Sequence, residues 1–172
     1  MLISKKINDA ISQQIGNEFG AALQYVAIAA HFDSEALPQL AAHFYGQAAE
    51  ERDHAMKFVK FLVDTDGKVA IPAIAAPKCT FKTAEEAVQL SLNWEVEVTQ
   101  QIHALVDLAK KETNYTTDNF LQWFVKEQLE EVSSMDQLLK VLQRAGEGGL
   151  LRVEEYLARH AGAKPSTPDT AS

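Results

Sequence analysis

The chain has 172 residues, of which 47% are hydrophobic, and it carries a formal net charge of −8 and a single cysteine, Cys79. That length suits one domain with a real core, and the acidic balance argues against nucleic acid or an anionic membrane surface as a partner. One cysteine excludes an internal disulfide and a cysteine-based zinc or iron–sulfur site. With no recognisable signal peptide or membrane span, we expect a cytoplasmic protein.

The first predicted helix runs over about residues 4–32 and is followed by a second that Pro38 opens. The second helix continues to about Asp64, and Gly67 is expected to supply the left-handed residue that ends it. The buried stripe of the first helix consists of two rows of residues seven apart: Ile7, Gln14, Ala21 and Ile28, and Ile11, Glu18, Tyr25 and Phe32.

Residues 66–81 are short of helical periodicity and contain two prolines, which predicts an extended connection. Thr83 and Glu86 form a capping-box pattern that opens a third helix ending near residue 112. A fourth helix is predicted to begin at a cap provided by Thr116 or Thr117 and to end at Ala145. A short fifth helix covers 150–160, and we place the domain at 1–162 and a loose polar tail at 163–172.

Four of these helices are long, roughly 27 to 30 residues each, or about 40–45 Å at the rise of an α-helix. Their connections are short, long and short in turn. Short links join antiparallel neighbours, whereas a long middle link can carry the chain back along the bundle. The predicted fold class is therefore all-α: an up-down-down-up four-helix bundle with a long crossover between helices two and three, plus a short fifth helix.

Each long helix places one carboxylate on its apolar stripe, close to its midpoint. In an antiparallel bundle the midpoints meet at one level, so these carboxylates are expected to converge in the core. Unpaired buried carboxylates cost several kcal/mol each and repel one another, and His54 is the one basic group on these rows. The converging residues are Glu18, Glu51, Glu95 and Glu131, together with His54 and Gln128.

A bound cation would neutralise such a cluster. A carboxylate-rich site with one imidazole suits iron or manganese better than structural zinc. Glu51 and His54, three residues apart on a helix, can share one ion. Carboxylates can also bridge two ions, so the number of ligands suggests a two-metal site. A single buried glutamate could instead be an ordinary hydrogen-bonded core residue, and a metal-free interaction module with protonated core carboxylates is an alternative.

Four motifs in this order carry a family resemblance. They are "NEFGAALQY" with Glu18 and Tyr25, "AAEERDHA" with Glu50, Glu51 and His54, "WEVEVTQQI" with Glu95, and "FLQWFVKEQLEEV" with Glu127, Gln128, Glu130 and Glu131. Over residues 1–160 the chain resembles the non-haem bacterial ferritins of the ferritin-like di-iron carboxylate superfamily. The resemblance implies a ferroxidase that oxidises Fe²⁺ with O₂ or H₂O₂ and stores ferric mineral in a hollow cage of 24 subunits. The alternative is a di-iron carboxylate oxidase or peroxidase that stores no mineral.

The resemblance also implies a role for each site residue. Glu18, Glu51 and His54 would hold the first iron, and Glu51 would bridge to a second iron. The ligands of the second iron would be Glu95 and Glu131, with Gln128 close by. Tyr25 matches a tyrosine that serves as a hydrogen-bond or electron partner. The residues that match a third, accessory iron site are Glu50, Glu127 and Glu130.

One position argues against haem. Haem-binding bacterioferritins carry a methionine next to the first motif's glutamate, and this chain has Arg52 there. The fourth helix also carries Gln128 and Glu131 where those relatives have a second Glu-x-x-His motif. We therefore expect iron without haem.

Overall fold

The computed structural model describes residues 2–160, and its element order agrees with the predicted all-α fold. The helices are α1 (Lys5–Ser34), α2 (Pro38–Asp64), α3 (Ala84–Lys111), α4 (Tyr115–Ala145) and α5 (Leu150–His160), with a 3₁₀ turn at Glu147–Gly149. The predicted tail, 163–172, and the proposed boundary at residue 162 lie outside the described residues.

Two apolar clusters occupy the two ends of the bundle and reveal the direction of each helix. The first includes residues from the later part of α1, the early parts of α2 and α3, and the later part of α4. The second includes the early part of α1, the later parts of α2 and α3, and the early part of α4. Helices α1 and α4 therefore run one way and α2 and α3 the other, which confirms the up-down-down-up arrangement.

Side-chain caps define where three of the helices begin, and one prediction was wrong. Ser4 accepts a hydrogen bond from the N–H of Ile7, and Thr83 caps α3 through the N–H of Glu86, as predicted. Helix α4 is capped by Asn114, not by a threonine, and its side-chain oxygen accepts from the N–H of Thr117 at 2.9 Å. Asparagine is a strong N-cap residue, and here it starts the helix two or three residues earlier than predicted.

The end of α2 also differs from the prediction in one residue. The left-handed backbone conformation belongs to Asp66, with φ of 56°, and not to Gly67. Gly67 instead donates its N–H to the carbonyl of Leu62 at 2.7 Å, which completes a Schellman motif. A Cβ on Gly67 would lie 2.6 Å from Oδ1 of Asn8, so a larger residue there would have to displace the Asn8 side chain.

The long crossover between α2 and α3 lies against α1. The side-chain amides of Asn8 and Gln24 each bond to both the N–H and the C=O of one crossover residue, which holds the chain without strand pairing. Between them, a glycine lets a proline ring approach the helix backbone. The three contact pairs are Asn8 with Lys68, Gly16 with Pro72, and Gln24 with Lys78.

Helix α5 supplies a side-chain cap to α2. Leu37, the N-cap of α2, makes no side-chain cap bond. The carboxylate of Glu154 on α5 accepts from the N–H groups of Gln39 and Leu40 at 2.7 and 2.9 Å. A carboxylate at a helix N-terminus satisfies free donors and complements the helix dipole, so Glu154 binds α5 to α2.

Candidate metal centre

The six residues predicted to converge do lie buried between the two apolar clusters. Their relative exposures are 5% or less, so this polar layer is sealed on both sides by hydrophobic packing. The heptad rows drawn from the sequence therefore identify the inward face of every long helix. The buried set is Glu18, Glu51, His54, Glu95, Gln128 and Glu131.

Three residues from α1 and α2 form a fully buried group of possible metal ligands. One ligand atom from each of Glu18, Glu51 and His54 lies within 4.8 Å of the others. Nδ1 of His54 lies 3.3 Å from Oε2 of Glu51, as their spacing of three along α2 allows. Oε2 of Glu18 and Oε1 of Glu51 are buried, and within residues 2–160 neither atom accepts a hydrogen bond from an amide or hydroxyl, although the two carboxyl groups lie within hydrogen-bonding reach of each other.

A second group shares His54 with α4. His54, Glu127 and Glu131 also place ligand atoms within 4.8 Å of one another. Nε2 of His54 lies 3.9 Å from Oε1 of Glu127, whose side chain is 24% exposed. The two ring nitrogens of His54 thus face different carboxylates. Glu127, matched by resemblance to the accessory site, lies beside the central histidine.

Glu95 is held by hydrogen bonds from two helices. The hydroxyl of Tyr25 on α1 donates to Oε1 of Glu95, and Nε2 of Gln128 on α4 donates to Oε2 at 3.1 Å. Among the described residues, Glu95 does not belong to either of the three-ligand groups. The structure therefore shows Glu95 engaged with its neighbours, and its role as a ligand of a second iron stays a prediction.

Burial raises the pKa values of three carboxyl groups in this polar layer. Burial, followed by the charge of Glu51, raises the pKa of Glu18 well above its ordinary value, while Gln14 and His54 act in the opposite direction. Burial, followed by the charge of Glu95, raises the pKa of Glu51 in the same way. Burial also raises the pKa of Glu95, although hydrogen bonds from Tyr25 and Gln128 oppose the shift.

Aromatic rings separate His54 from the surface between α2 and α4. The ring of Trp123 is 5.4 Å from that of His54, and the ring of Phe124 is 5.9 Å from it. Trp123 is 40% exposed, and Nζ of Lys57 lies 4.4 Å above its ring. This packing keeps bulk water from the imidazole on that side.

The remaining predicted residues occupy the rim. Glu50 is half-buried and accepts a hydrogen bond from Nε2 of Gln47 at 2.7 Å, whereas Glu130 is exposed. With Glu127 they do not form a three-ligand group within 4.8 Å in the described part of the chain. Arg52 is exposed, and its Nη1 lies 3.4 Å from Oδ1 of its neighbour Asp53.

One residue of the centre was not singled out from the sequence. Gln14 is buried and donates from Nε2 to Oε1 of Glu18 at 2.8 Å. Its place on the apolar row with Ile7 and Ala21, one turn before Glu18, was the signal that could have identified it. A polar side chain on a buried row near a buried acid has to bond with something.

The donor set fits iron ions. Hard carboxylate oxygens with one imidazole match the preference of Fe²⁺ and Fe³⁺, and the buried Oε2 of Glu18 and Oε1 of Glu51, which have no amide or hydroxyl partner among residues 2–160, suit a cation. Burial and the neighbouring carboxylates raise the pKa values of Glu18 and Glu51, and a nearby positive charge would act in the opposite direction. The arrangement can therefore bind divalent cations with release of protons.

Comparisons with known proteins agree with this geometry. A family model described as "Ferritin-like domain" matches residues 8–145. Ferritin BfrB of Mycolicibacterium smegmatis is 44% identical over 172 residues, covering 98% of this chain and 94% of the relative. The bacterial non-heme ferritin of Staphylococcus aureus is 35% identical over 146 residues, covering 85% and 88% respectively.

Solved structures show the same architecture. An open pore ferritin from the hyperthermophilic archaeon Archaeoglobus fulgidus superposes with a TM-score of 0.88 at 34% identity, covering 91% of this chain and 97% of that one. Among residues 2–160, none of the helices combines the length and the apolar character that crossing a membrane requires.

Proposed function

Because the chain belongs to the ferritin family, we propose that it is an iron-storage ferritin with ferroxidase activity. Its substrates are Fe²⁺ and either O₂ or H₂O₂, and its product is a ferric mineral held inside a cage of 24 subunits. The proposal includes a cytoplasmic location and the use of iron without haem.

One observation carries the proposal: carboxylates from all four long helices lie with one imidazole in a buried layer. Glu18, Glu51, Glu95 and Glu131 are each at most 5% exposed. Burial of four carboxyl groups lowers the stability of the metal-free fold, so packing alone does not explain why they are there. Binding of divalent cations offsets that cost, which makes a metal-binding role the better explanation.

The geometry suggests how the chain holds two irons. Glu18, Glu51 and His54 are the ligands proposed for the first iron, since all three members of this group are buried. Glu51, Glu95 and Glu131 are proposed for the second, with Gln128 close by. Glu127 borders the pair at the exposed edge and, with Glu50 and Glu130, is proposed to serve ions that enter or leave.

Two neighbouring Fe²⁺ ions each supply one electron, so that O₂ takes up two protons and leaves as H₂O₂, or H₂O₂ takes up two protons and leaves as two waters. Carboxylate ligands favour the harder Fe³⁺ product. The protein's part is to hold both ions at one level, to exclude bulk water with the apolar clusters, and to keep Tyr25 as a hydrogen-bond donor beside Glu95.

The direct test is anaerobic titration with Fe²⁺ followed by addition of oxygen. We expect binding of about two irons per subunit and fast oxidation. Glu51→Ala and His54→Ala should each bind less iron and oxidise it far more slowly. Equal oxidation rates in wild type and both variants would refute the ferroxidase assignment.

Storage is tested separately from oxidation. Gel filtration and electron microscopy of iron-loaded protein should show hollow particles far larger than the 19.0 kDa subunit, with electron-dense cores. A monomer or dimer that still oxidises Fe²⁺ would instead favour the alternative oxidase or peroxidase. A Soret band in protein purified from cells supplied with haem would contradict the expectation based on Arg52.

A further inference from the structure

Gln14 is a buried amide that holds one oxygen of Glu18. It is 2% exposed and lies one helical turn before Glu18 on α1, where residues four apart are neighbours. Its Nε2 donates to Oε1 of Glu18 at 2.8 Å. The other carboxylate oxygen, Oε2, is buried and accepts no hydrogen bond from an amide or hydroxyl within residues 2–160, and the carboxyl of Glu51 lies within hydrogen-bonding reach of Glu18. One oxygen of Glu18 is thus held by an amide and the other is not.

Neighbouring amides determine which way the Gln14 side chain is oriented. Nδ2 of Asn17 donates to Oε1 of Gln14 at 3.2 Å and to Oε1 of Gln101 on α3 at 3.0 Å. Nε2 of Gln14 also lies 3.3 Å from Oε1 of Gln101. If the Gln14 amide were flipped, its oxygen would face the carboxylate oxygen of Glu18, and its NH₂ group would face the NH₂ group of Asn17. Neither contact could then be a hydrogen bond. The three amides therefore lock the donor toward Glu18.

We propose that Gln14 is a positioning residue that makes Glu18 a one-oxygen ligand, coordinating through Oε2. The proposal rests on the proposed function, because it concerns the first iron site. With Oε1 held by an amide, Glu18 presents a single oxygen to the space shared with Glu51 and His54. Hydrogen-bonded partners of metal ligands orient them, and their loss typically lowers metal affinity or activity about 10- to 100-fold.

The test uses Co²⁺ as a redox-inert probe of the metal-free protein. Gln14→Leu keeps the size of the side chain and removes the donor. We expect its Co²⁺ affinity at the tightest site to fall about 10- to 100-fold. Its visible Co²⁺ spectrum should also change, since Glu18 is free to bind through both oxygens. The initial rate of Fe²⁺ oxidation should fall in parallel.

Gln24→Leu is the matched control. Gln24 is a buried amide on the same helix, but it bonds to the backbone of Lys78 at 2.8 and 2.9 Å and not to the centre. Its loss should lower thermal stability while leaving the Co²⁺ affinity and spectrum unchanged. Equal Co²⁺ behaviour of Gln14→Leu and Gln24→Leu would overturn the positioning role.

Asn17→Ala supplies a second test in case Gln14→Leu does not fold. It leaves Gln14 in place and removes the donor that orients its amide, so we expect a smaller loss of Co²⁺ affinity and a changed spectrum. An unchanged spectrum would overturn the inference. If the wild-type protein binds no Co²⁺, the proposed function is refuted. If the wild-type protein binds Co²⁺ and both variants bind it in the same way, only the role of Gln14 is refuted.

Discussion

The hydroxyl of Tyr25 on α1 donates a hydrogen bond to Oε1 of Glu95 on α3, across the centre of the bundle. Both residues are at most 1% exposed. Burial, with the charge of Glu95 next, raises the pKa of Tyr25 well above its ordinary value. Tyr25 therefore remains a protonated donor at neutral pH and connects the two helices directly at the polar layer.

Replacing Tyr25 by phenylalanine removes that donor and leaves Glu95 with Gln128 as its hydrogen-bond partner. A hydrogen bond to a buried charged group contributes about 1.5–3 kcal/mol. We expect the metal-free Tyr25→Phe protein to lose stability of this order in thermal unfolding. Tyr115→Phe is the control, because Tyr115 is 76% exposed and its change should stay within about 0.5 kcal/mol. Equal stabilities of the two variants would contradict the expectation.

The pKa of Glu51 is raised in the folded protein, which makes the stability of the metal-free form depend on pH. A raised folded pKa contributes stability that is complete below the ordinary value of 4.5 and is lost as pH rises through the raised value. The Glu51 carboxyl therefore lowers the stability of the metal-free protein at pH 8, and Glu51→Gln should raise that stability by about 1–3 kcal/mol.

The gain from Glu51→Gln should shrink as the pH is lowered from 8 towards 5. Thermal unfolding of metal-free wild type and variant at several pH values measures it, and the variant should also bind less Co²⁺. Glu155→Gln, at an exposed residue of α5, is expected to show no comparable pH-dependent gain. A gain that is constant with pH, or a loss at pH 8, would contradict this explanation.

Gly16 is required by the crossover. A Cβ on Gly16 would lie 2.3 Å from Cγ of Pro72, far inside van der Waals contact. Gly16→Ala should therefore displace the crossover and cost about 1–3 kcal/mol in thermal unfolding. Gly46→Ala, in α2, is the matched control because nothing lies within 4 Å of the added Cβ. Gly46→Ala should raise stability by about 0.5–1 kcal/mol. A loss of stability at both positions would show that contact with Pro72 does not explain the effect of Gly16→Ala.

Glu154 caps α2 from another helix. Glu154→Ala leaves the N–H groups of Gln39 and Leu40 without their acceptor, and loss of a cap costs about 0.5–2 kcal/mol. We expect faster proteolysis within α5 as well as lower thermal stability. Glu155→Ala, which removes an exposed carboxylate 3.7 Å from Arg159, should change neither measurement appreciably. Similar effects of both variants would contradict the capping role.

Most of the fold could be predicted from the sequence because residues about seven apart lie on the same side of an α-helix. The rows through Glu18, Glu51, Glu95 and Glu131 identify the buried faces, and the level of these residues within their helices brings them together. Predictions at helix ends were less reliable. Asn114 and Asp66 took the roles assigned to a threonine and to Gly67, since several residues near each end can adopt the required geometry.

The sequence by itself determined which side chains face the core, because helical periodicity allows one inward stripe per helix. The tertiary structure decided which atoms of those side chains meet. That Tyr25 and Gln128 both bond to Glu95, and that His54 lies between Glu51 and Glu127, depends on how helices far apart in the chain are rotated and shifted along one another. Those rotations and shifts result from the packing of both apolar clusters together, and no single helix encodes them.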